Sequence, residues 1–437
     1  MKNKEKTIWI DMTDLSIWQG HFTGIQRVVY SIAKRFAESN KKVKYFVFNT
    51  DTKEFVIFDF RAFAESLKNK NDTFEERLTF RQKLKIKTKE TYLKSPDTVK
   101  NILRSPKVKG LIRKSLHYYR KTKSFKPVKN TSLAKAIIAN FKKGDIVIVL
   151  GNSWDKPELV PTLGKLRTQK LLKVFQVIYD LIPVYQPQAF NAELFNIYAN
   201  NMFEVVDNSD GLMAISESSK RDTLRFCKDV GLNCPSIEVI RLGDDIPIGK
   251  NPTQPAGIPV GEEFLLCVGT IEARKNHAIL YYAWKEGLRR GVNMPHIVVV
   301  GRQGWYTGDI LHTIKTDPDT RDRFHFMDNI SDDELVWLYK NTLFTVYPSY
   351  YEGWGLPVAE SAAMGKLCVA SNQSSMPEIA GNLMDYFSPF DSKECANKII
   401  YYLDTRHRKT KEQQIKASYN VVSWNQTYQE VKKYTSN

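Results

Sequence analysis

Cysteine is scarce and scattered in this sequence. The five cysteines are odd in number and none forms a Cys-x-x-Cys pair: they are Cys227, Cys234, Cys267, Cys368 and Cys395. This spacing argues against a disulfide framework and against a zinc site. We therefore expect a protein of a reducing cytoplasm.

Long apolar runs are missing as well. No run approaches the 18 residues that a membrane-spanning helix needs, and residues 1–6 lack the apolar core of a signal peptide. We therefore expect a chain that does not span a membrane and is not secreted by that route. With 437 residues, of which 42% are hydrophobic, the chain is long enough to bury two ordinary cores.

Acidic residues are depleted in one stretch, residues 68–129, where 20 Lys and Arg stand against only five Asp and Glu. This stretch carries a net charge of +15, out of +17 for the whole chain. Such a segment fits an anionic membrane surface, a nucleic acid or a solvated insertion. Because no recognisable nucleic-acid-binding module accompanies it, we expect no nucleic acid partner.

Within this basic stretch, residues 108–119 have an amphipathic helical pattern. Val108, Leu111 and Ile112 share one face, and lysines and arginines lie elsewhere on the helix. The pattern suits a helix at a membrane interface, and equally a helix that docks onto the protein's own core. Both interpretations stay open from the sequence.

One dense motif, residues 349–360, follows a β-type run. Gly353 and Gly355 allow a tight loop, and Pro357 suits the first turn of a helix that begins near Leu356. The free amide hydrogens and the positive dipole end of this helix can bind an anion or a hydroxyl-rich group without a metal. A capped surface helix is the plainer interpretation.

Two carboxylates bracket this loop and carry a family resemblance. Glu352 precedes the helix and Glu360 lies about one turn inside it, so we expect them to contact different parts of one elongated ligand. The residues between and including them, EGWGLPVAE, resemble the E-x7-E signature of retaining glycosyltransferases of family 4. The resemblance implies a nucleotide-sugar donor, with Glu352 beside the donor sugar and Glu360 on the ribose hydroxyls. It also places Gly355, Leu356 and Pro357 at the nucleotide.

The same resemblance implies the GT-B fold. This is an α/β architecture of two Rossmann-like doubly wound domains that face each other across a cleft. The alternation of apolar runs with helical patterns along the chain is typical of such parallel sheets. We expect two domains joined by a Pro-rich hinge, with a basic helical insertion in the N-terminal domain and a closing helix. The N-terminal acceptor domain is expected at 1–243, with the insertion at about 65–135, and the hinge at 244–262. The C-terminal nucleotide-sugar domain is expected at 263–422, and the helix that returns to the N-terminal domain at 423–437.

A basic pair follows the first predicted strand of the second domain. Arg274 and Lys275 stand at a strand-to-helix loop, where two cations can neutralise a pyrophosphate. The pair matches the Arg-Lys loop of family 4, which often has another arginine directly after the strand; Thr270 stands there in this chain. A solvated surface pair is the alternative. Gln303 follows a later strand and is a candidate for contact with the nucleotide base.

The first domain supplies two further candidates. Gly24 begins a helix after the first strand, where glycine lets a substrate approach the backbone, although an ordinary helix start fits as well. Tyr179 stands where many members of the family have a histidine, and a tyrosine is a poor base near neutral pH. Asp180 matches the family, so we expect it to position the acceptor; an aspartate that only satisfies nearby backbone is the alternative.

One motif suggests a metal. Asp317-Pro318-Asp319 is a D-x-D, with which metal-dependent transferases hold a divalent ion. Its proline and its polar surroundings favour a turn instead. We therefore expect no metal, and no cofactor apart from the nucleotide sugar as donor substrate.

The resemblance leads to a functional expectation. We expect a retaining, metal-independent glycosyltransferase that adds a sugar to a lipid-linked glycan in cell-surface polysaccharide synthesis, similar to mannosyl- or rhamnosyltransferases of O-antigen or capsule type. It would be cytoplasmic and peripheral at the inner face of the cell membrane through its basic segment. Two alternatives stay open: a nucleotide-sugar epimerase of the same fold, and a non-catalytic protein that binds anionic lipid.

Overall fold

The computed structural model describes residues 6–18, 24–39, 42–68, 137–190, 192–244, 251–258 and 261–436. The chain separates into two compact units, residues 1–58 with 140–437 and residues 59–139. The smaller unit is described at helix Phe60–Lys68 and at residues 137–139. Almost all of the predicted basic insertion, including the amphipathic pattern at 108–119, therefore lies outside the described residues.

The larger unit is built from short, mostly buried strands. They are β1 Ile8–Asp11, β2 Val43–Asn49, β3 Glu54–Phe58, β4 Ile146–Val149, β5 Lys173–Ile178, β6 Gly211–Ala214, β7 Ser236–Val239, β8 Phe264–Val268, β9 His296–Val300, β10 Phe324–Met327, β11 Thr345–Tyr347, β12 Cys368–Ser371 and β13 Asp385–Phe387.

Helices connect most of these strands. In chain order, with α3 belonging to the smaller unit, they are α1 Thr13–Ser16, α2 Ile25–Ala37, α3 Phe60–Lys68, α4 Leu159–Lys170, α5 Ile182–Tyr185, α6 Ala192–Asp207, α7 Glu217–Val230, α8 His277–Arg289, α9 Gly308–Thr316, α10 Asp332–Asn341, α11 Leu356–Ala363, α12 Met376–Ala380, α13 Ser392–Leu403, α14 Thr405–Ser418 and α15 Trp424–Ser436.

The strands form two separate sheets. The first has the order β3-β2-β1-β4-β5-β6-β7 and the second the order β10-β9-β8-β11-β12-β13. Every neighbouring pair is parallel except β2 with β3. Apolar, buried runs such as β4 and β9 suit strands covered on both faces. The predicted pair of doubly wound Rossmann-like domains is confirmed.

In each sheet the strand order reverses next to the first strand, between β1 and β4 and between β8 and β11. Ligands of doubly wound sheets bind in the crevice at the carboxyl ends of strands around such switch points. The loops after β1, β4, β8 and β11 are therefore where a functional site is expected.

Helix starts and stops follow from capping residues. Ser216 caps α7 by accepting a hydrogen bond from the Ser219 amide. Ser331 and Glu334 form a reciprocal capping box at the start of α10. Asp404 caps α14, which therefore begins at Thr405.

The last helix packs against the first sheet's own helical layer. Tyr428 of α15 contacts Phe36 of α2 edge to face, with ring centroids 4.8 Å apart. The chain crosses between the two domains at two places, and these crossings are joined. The Asp244 amide donates to the Val422 carbonyl at 2.9 Å, and the Val422 amide donates to the Asp244 carboxylate at 2.7 Å.

Candidate active site

The loop between β11 and α11 is the centre of the candidate site. Helix α11 begins at Leu356, as predicted, with Pro357 in its first turn. Gly355 precedes it with a φ of 121°, a conformation that side chains rarely adopt. Gly353 is needed for a different reason: a Cβ atom there would lie 2.3 Å from the carbonyl oxygen of Tyr179, which follows β5 in the other domain. The loop touches the opposite domain through a glycine because no side chain fits.

Glu352 is buried in this loop and is paired with two cations. The Lys275 ammonium lies 2.6 Å from Oε1, and the Arg274 guanidinium lies 2.7 Å from Oε2. Lys275 also donates to the Tyr347 hydroxyl at 2.7 Å, and Arg274 donates to Glu272 at 2.7 Å. Each charged group therefore has more than one partner, so the cluster has a defined geometry.

The protonation states follow from this pairing. Burial alone would raise the pKa of Glu352, but the charges of Arg274 and Lys275 outweigh it and lower the pKa to about 2. Burial lowers the pKa of Lys275, and Glu352 opposes that effect. Burial raises the pKa of the nearby Asp180, opposed by Arg274. At neutral pH Glu352 is ionised and accepts hydrogen bonds; it does not donate a proton.

Glu360, one turn into α11, faces the opposite domain. Its Oε1 lies 2.6 Å from Nη1 of Arg27, which belongs to helix α2 of the first domain. Its Oε2 accepts a hydrogen bond from the buried Tyr339 hydroxyl at 2.7 Å. The two carboxylates of the motif are therefore held by separate groups of residues, as expected if they contact different parts of a ligand.

The first domain contributes the end of β5. Asp180 accepts a hydrogen bond from the Ile182 amide at 3.0 Å, and its carbonyl accepts one from the Tyr198 hydroxyl at 2.6 Å. The Tyr179 hydroxyl donates to the Leu150 carbonyl at 2.6 Å, and burial raises its pKa well above the usual value. Tyr179 is therefore a poor base, in line with the sequence-based expectation.

These groups surround one cavity of about 500 Å³, lined by residues of both Rossmann-like domains. The volume is in the range of small-molecule sites. Nine of the eleven predicted site residues line it: Glu352, Lys275, Asp180, Glu360, Gly355, Leu356, Pro357, Gly24 and Thr270. The structure brings them together, while the role of each stays a prediction.

Two predicted residues do not line the cavity. Arg274 lies against Glu352 and donates to the Tyr351 carbonyl at 2.7 Å, so it contacts the site through Glu352. Gln303 has an exposed side chain, and its backbone pairs with Ile271 in an isolated parallel bridge. Its neighbour Arg302 lines the cavity instead.

Several residues of the site were not predicted. Arg27, Arg302 and Tyr347 line the cavity, and Tyr339 holds Glu360. Arg27 and Arg302 each carry a usable signal, because both follow a strand of the predicted sheets at its ligand-binding end. Tyr339 carries none, since it lies within a helix with ordinary apolar spacing.

The predicted turn at Asp317 is confirmed. Residues 318–320 form a turn after α9, and the Asp319 amide donates to the Asp317 carboxylate at 2.9 Å. Lys285 pairs with both carboxylates. Within the described ranges, no group of three or more His, Cys, Asp or Glu is placed to hold a metal ion. In that same part of the chain, no helix is both long enough and apolar enough to cross a membrane.

Comparison with known proteins gives a family match. Residues 251–421 match the family model for glycosyl transferases group 1. The matched region contains strands β8 to β13 together with Lys275, Glu352 and Glu360. It therefore covers the second domain and its side of the cavity.

Curated relatives include two proteins of Escherichia coli. The chain is 25% identical to serotype-specific mannosyltransferase WbdA over 279 residues, which are 60% of this chain and 34% of the relative. It is 25% identical to O-antigen chain mannosyltransferase B over 222 residues, 49% of this chain and 56% of the relative. The chain thus spans about a third to a half of the length of these relatives.

A solved structure covers nearly the whole chain. Anabaena Alr3699/HepE in complex with UDP-glucose superimposes with a TM-score of 0.60 and 15% identity, over 98% of this chain and 99% of that one. At this identity the likeness shows the fold alone, and it extends over both Rossmann-like domains.

Proposed function

Because the chain carries a group 1 glycosyltransferase domain on the GT-B fold, we propose that it is a retaining glycosyltransferase. It moves a sugar from a nucleotide-sugar donor to a hydroxyl of a lipid-linked glycan in cell-surface polysaccharide synthesis. The observation that carries the proposal is the arrangement of two buried carboxylates, Glu352 and Glu360, in one cavity with the Lys275 ammonium. Because separate groups of residues hold the two carboxylates in one cavity, they can contact different parts of one ligand, a sugar and a ribose.

The chemistry assigned to the cavity is a substitution at the anomeric carbon. The bond from this carbon to the diphosphate oxygen breaks, the acceptor oxygen bonds to the same carbon, and the proton of the acceptor hydroxyl passes to the leaving diphosphate oxygen. Negative charge grows on the leaving diphosphate, where Lys275 and the free amides at the start of α11, near Gly355 and Leu356, stabilise it. Glu352 accepts hydrogen bonds from the donor sugar, and Asp180 orients the acceptor hydroxyl.

We assign charge stabilisation to protein cations, not to a metal. Lys275 is held at the cavity wall by Glu352 and Tyr347, and Arg274 fixes the other side of the same carboxylate. A fixed cation needs no reorganisation as the charge develops, which is the usual origin of such stabilisation. Transfer activity is therefore expected to survive treatment with a chelator.

The donor sugar is proposed from the relatives. Both curated relatives described above are named as mannosyltransferases, and the solved neighbour was crystallised with UDP-glucose. We therefore place nucleotide-activated mannose first among donors, ahead of other nucleoside-diphosphate hexoses. A glycan acceptor is proposed because one of these relatives is an O-antigen chain mannosyltransferase by name, and its link to a lipid is part of our proposal.

The test is a donor screen with product analysis. Purified protein is mixed with a panel of nucleotide sugars and a short glycoside acceptor, and release of nucleoside diphosphate is followed. NMR of the product then reports whether the anomeric configuration is retained. Glu352→Gln serves as the inactive control, since it removes the charge that holds Lys275. An epimerised donor without glycosylated product would indicate an epimerase and would overturn the proposal.

Peripheral membrane association is a separate part of the proposal. It is supported by the charge of residues 68–129, each cation of which is worth about 1 kcal/mol near an anionic surface. We expect salt-sensitive binding to vesicles that contain anionic lipid, weakened when three cations near the apolar stripe of 108–119 are reversed. Activity toward a short soluble acceptor should hardly change. If liposome sedimentation shows no binding at low salt, the segment is a docking element within the protein or a binding site for another protein.

A further inference from the structure

Arg27 is a residue of the first domain that reaches a functional carboxylate of the second. It lies in the first turn of α2, and its Nη1 is 2.6 Å from Oε1 of Glu360 in α11. The side chains are only 17% and 6% exposed, so this pair is far better shielded from solvent than an ordinary surface ion pair. Both residues also line the cavity.

The Glu360 carboxylate is held from two directions. Tyr339, which is fully buried in its own domain, donates to Oε2 at 2.7 Å, while Arg27 binds Oε1 from the opposite domain. A carboxylate accepts about four hydrogen bonds, so these two partners leave about two lone pairs for a ligand. Two neighbouring acceptors of fixed orientation are suited to a vicinal diol.

Arg27 keeps donor capacity for this purpose. A guanidinium has five N–H donors, and toward the described residues Arg27 uses Nη1 on Glu360 alone. Asp332, at the start of α10, also lines the cavity and interacts electrostatically with Arg27. The guanidinium can therefore hold the Glu360 carboxylate and still donate hydrogen bonds to a ligand.

From these contacts we infer that Arg27 is a specificity-determining residue of the donor site. It orients the Glu360 carboxylate so that both hydroxyls of a ribose donate to it, and it thereby selects ribonucleotides over deoxyribonucleotides. The inference rests on the proposed function, because it takes the ligand of Glu360 to be the ribose of the donor. Arg27 acts through Glu360 and is a positioning residue, not a catalytic one.

This arrangement makes ribose recognition depend on both domains. Glu360 and Tyr339 belong to the second domain, whereas Arg27 comes from the first. The diol site is therefore complete only when the two domains are close enough for Arg27 to contact Glu360. Nucleotide binding and closure are linked through one contact.

The experiment measures binding of UDP and GDP, and of their 2′-deoxy counterparts, by isothermal titration calorimetry. Wild-type protein should prefer the ribose form by about tenfold, the value of one good hydrogen bond. Arg27→Gln should bind the ribose form about tenfold more weakly and lose the preference, and Arg27→Lys should restore part of it. Arg35→Gln is the matched control, because Arg35 lies on the same helix and bonds only to the Ser31 carbonyl among described residues.

The outcomes separate the inference from the proposed function. If wild-type protein binds one nucleotide and Arg27→Gln binds it equally well with the same ribose preference, the inference is wrong and the proposed function stands. If wild-type protein binds none of the nucleotides, both are wrong. A general loss of structure in Arg27→Gln would weaken binding of the ribose and deoxyribose forms equally. The ribose preference would then be unchanged in both Arg27→Gln and Arg27→Lys, and that result also overturns the inference.

Discussion

Replacing Gly353 with alanine tests whether the two domains must touch for activity. The added Cβ atom would lie 2.3 Å from the Tyr179 carbonyl oxygen and 3.0 Å from the Asp180 Cβ. Real Cβ contacts are rarely shorter than 3.4 Å, so one side must move by roughly 1 Å. Because the contact joins two domains, the cleft can open to relieve it while each core stays intact.

The size of the effect follows from the cost of overpacking. Extra atoms in a packed contact cost about 1–3 kcal/mol, which here is a penalty on the closed form alone. Since each 1.4 kcal/mol is about tenfold, kcat/KM should fall by about 5- to 150-fold if catalysis needs closure. Small-angle X-ray scattering with saturating donor should show less compaction than for wild-type protein, and the Tm should change little.

Gly308→Ala is the matched control. A Cβ atom at position 308 would meet nothing within 4 Å. Like Gly353, Gly308 belongs to the second domain, where it is the first residue of α9. It should behave as wild type in both assays. If Gly353→Ala kept kcat/KM within twofold of wild type and compacted normally on donor binding, the argument that closure passes through this contact would be refuted.

Three further predictions concern single side chains. Lys275→Ala should lower turnover about 100- to 1000-fold with the fold retained, because one preorganised cation is lost; a turnover within twofold of wild type would remove Lys275 from the site. Burial, with a smaller contribution from Lys275, lowers the pKa of His277 to about 4. In the unfolded chain His277 has a pKa of about 6.5, so as the pH falls the unfolded chain takes up this proton before the folded chain does. The free energy of unfolding should therefore drop by about 2–3 kcal/mol between pH 7 and 4.5. Urea denaturation should show a smaller drop in His277→Asn, and an equal drop would contradict the assignment. Glu378 accepts hydrogen bonds from the amides of Glu217 and Ser218 across the cleft, at 2.7 and 2.8 Å. Glu378→Ala should weaken closure of the cleft by about 1 kcal/mol and speed hydrogen exchange at these amides. Unchanged exchange would show that Glu378 does not hold the two domains together.

Much of the fold could be predicted because the buried parallel strands are continuous apolar runs. The sequence predicts strands at 43–49 and 324–327, which are the bounds of β2 and β10. The strands predicted at 7–12, 145–150, 173–179 and 297–300 differ from β1, β4, β5 and β9 by one residue at one or both ends. β3 and β13 were not predicted. β3 is an antiparallel edge strand with partly exposed residues, and β13 has only three residues, so neither gives a long apolar signal.

The site was predictable where one motif supplies both geometry and chemistry. Glu352 and Glu360 flank a loop whose glycines fix the backbone, so their positions follow from local sequence. The ion pair of Arg27 with Glu360 joins residues 333 positions apart, and no local pattern encodes it. Gln303 and Arg302 illustrate a one-residue error: neighbouring residues in extended backbone face opposite ways, so the strand-end argument finds the loop but not the side chain.

The double crossing near Asp244 and Val422 has a consequence for anyone who wishes to produce the two halves of this protein separately. One cut in the hinge would leave α15 attached to the wrong half. Tyr434 packs on Phe175 with ring centroids 5.5 Å apart, so an isolated first half would expose aromatic surface and tend to aggregate. Two cuts are needed, with residues 424–436 fused to the end of residues 6–244 through a short linker. Only a first half built in that way keeps the surface it has in the intact chain.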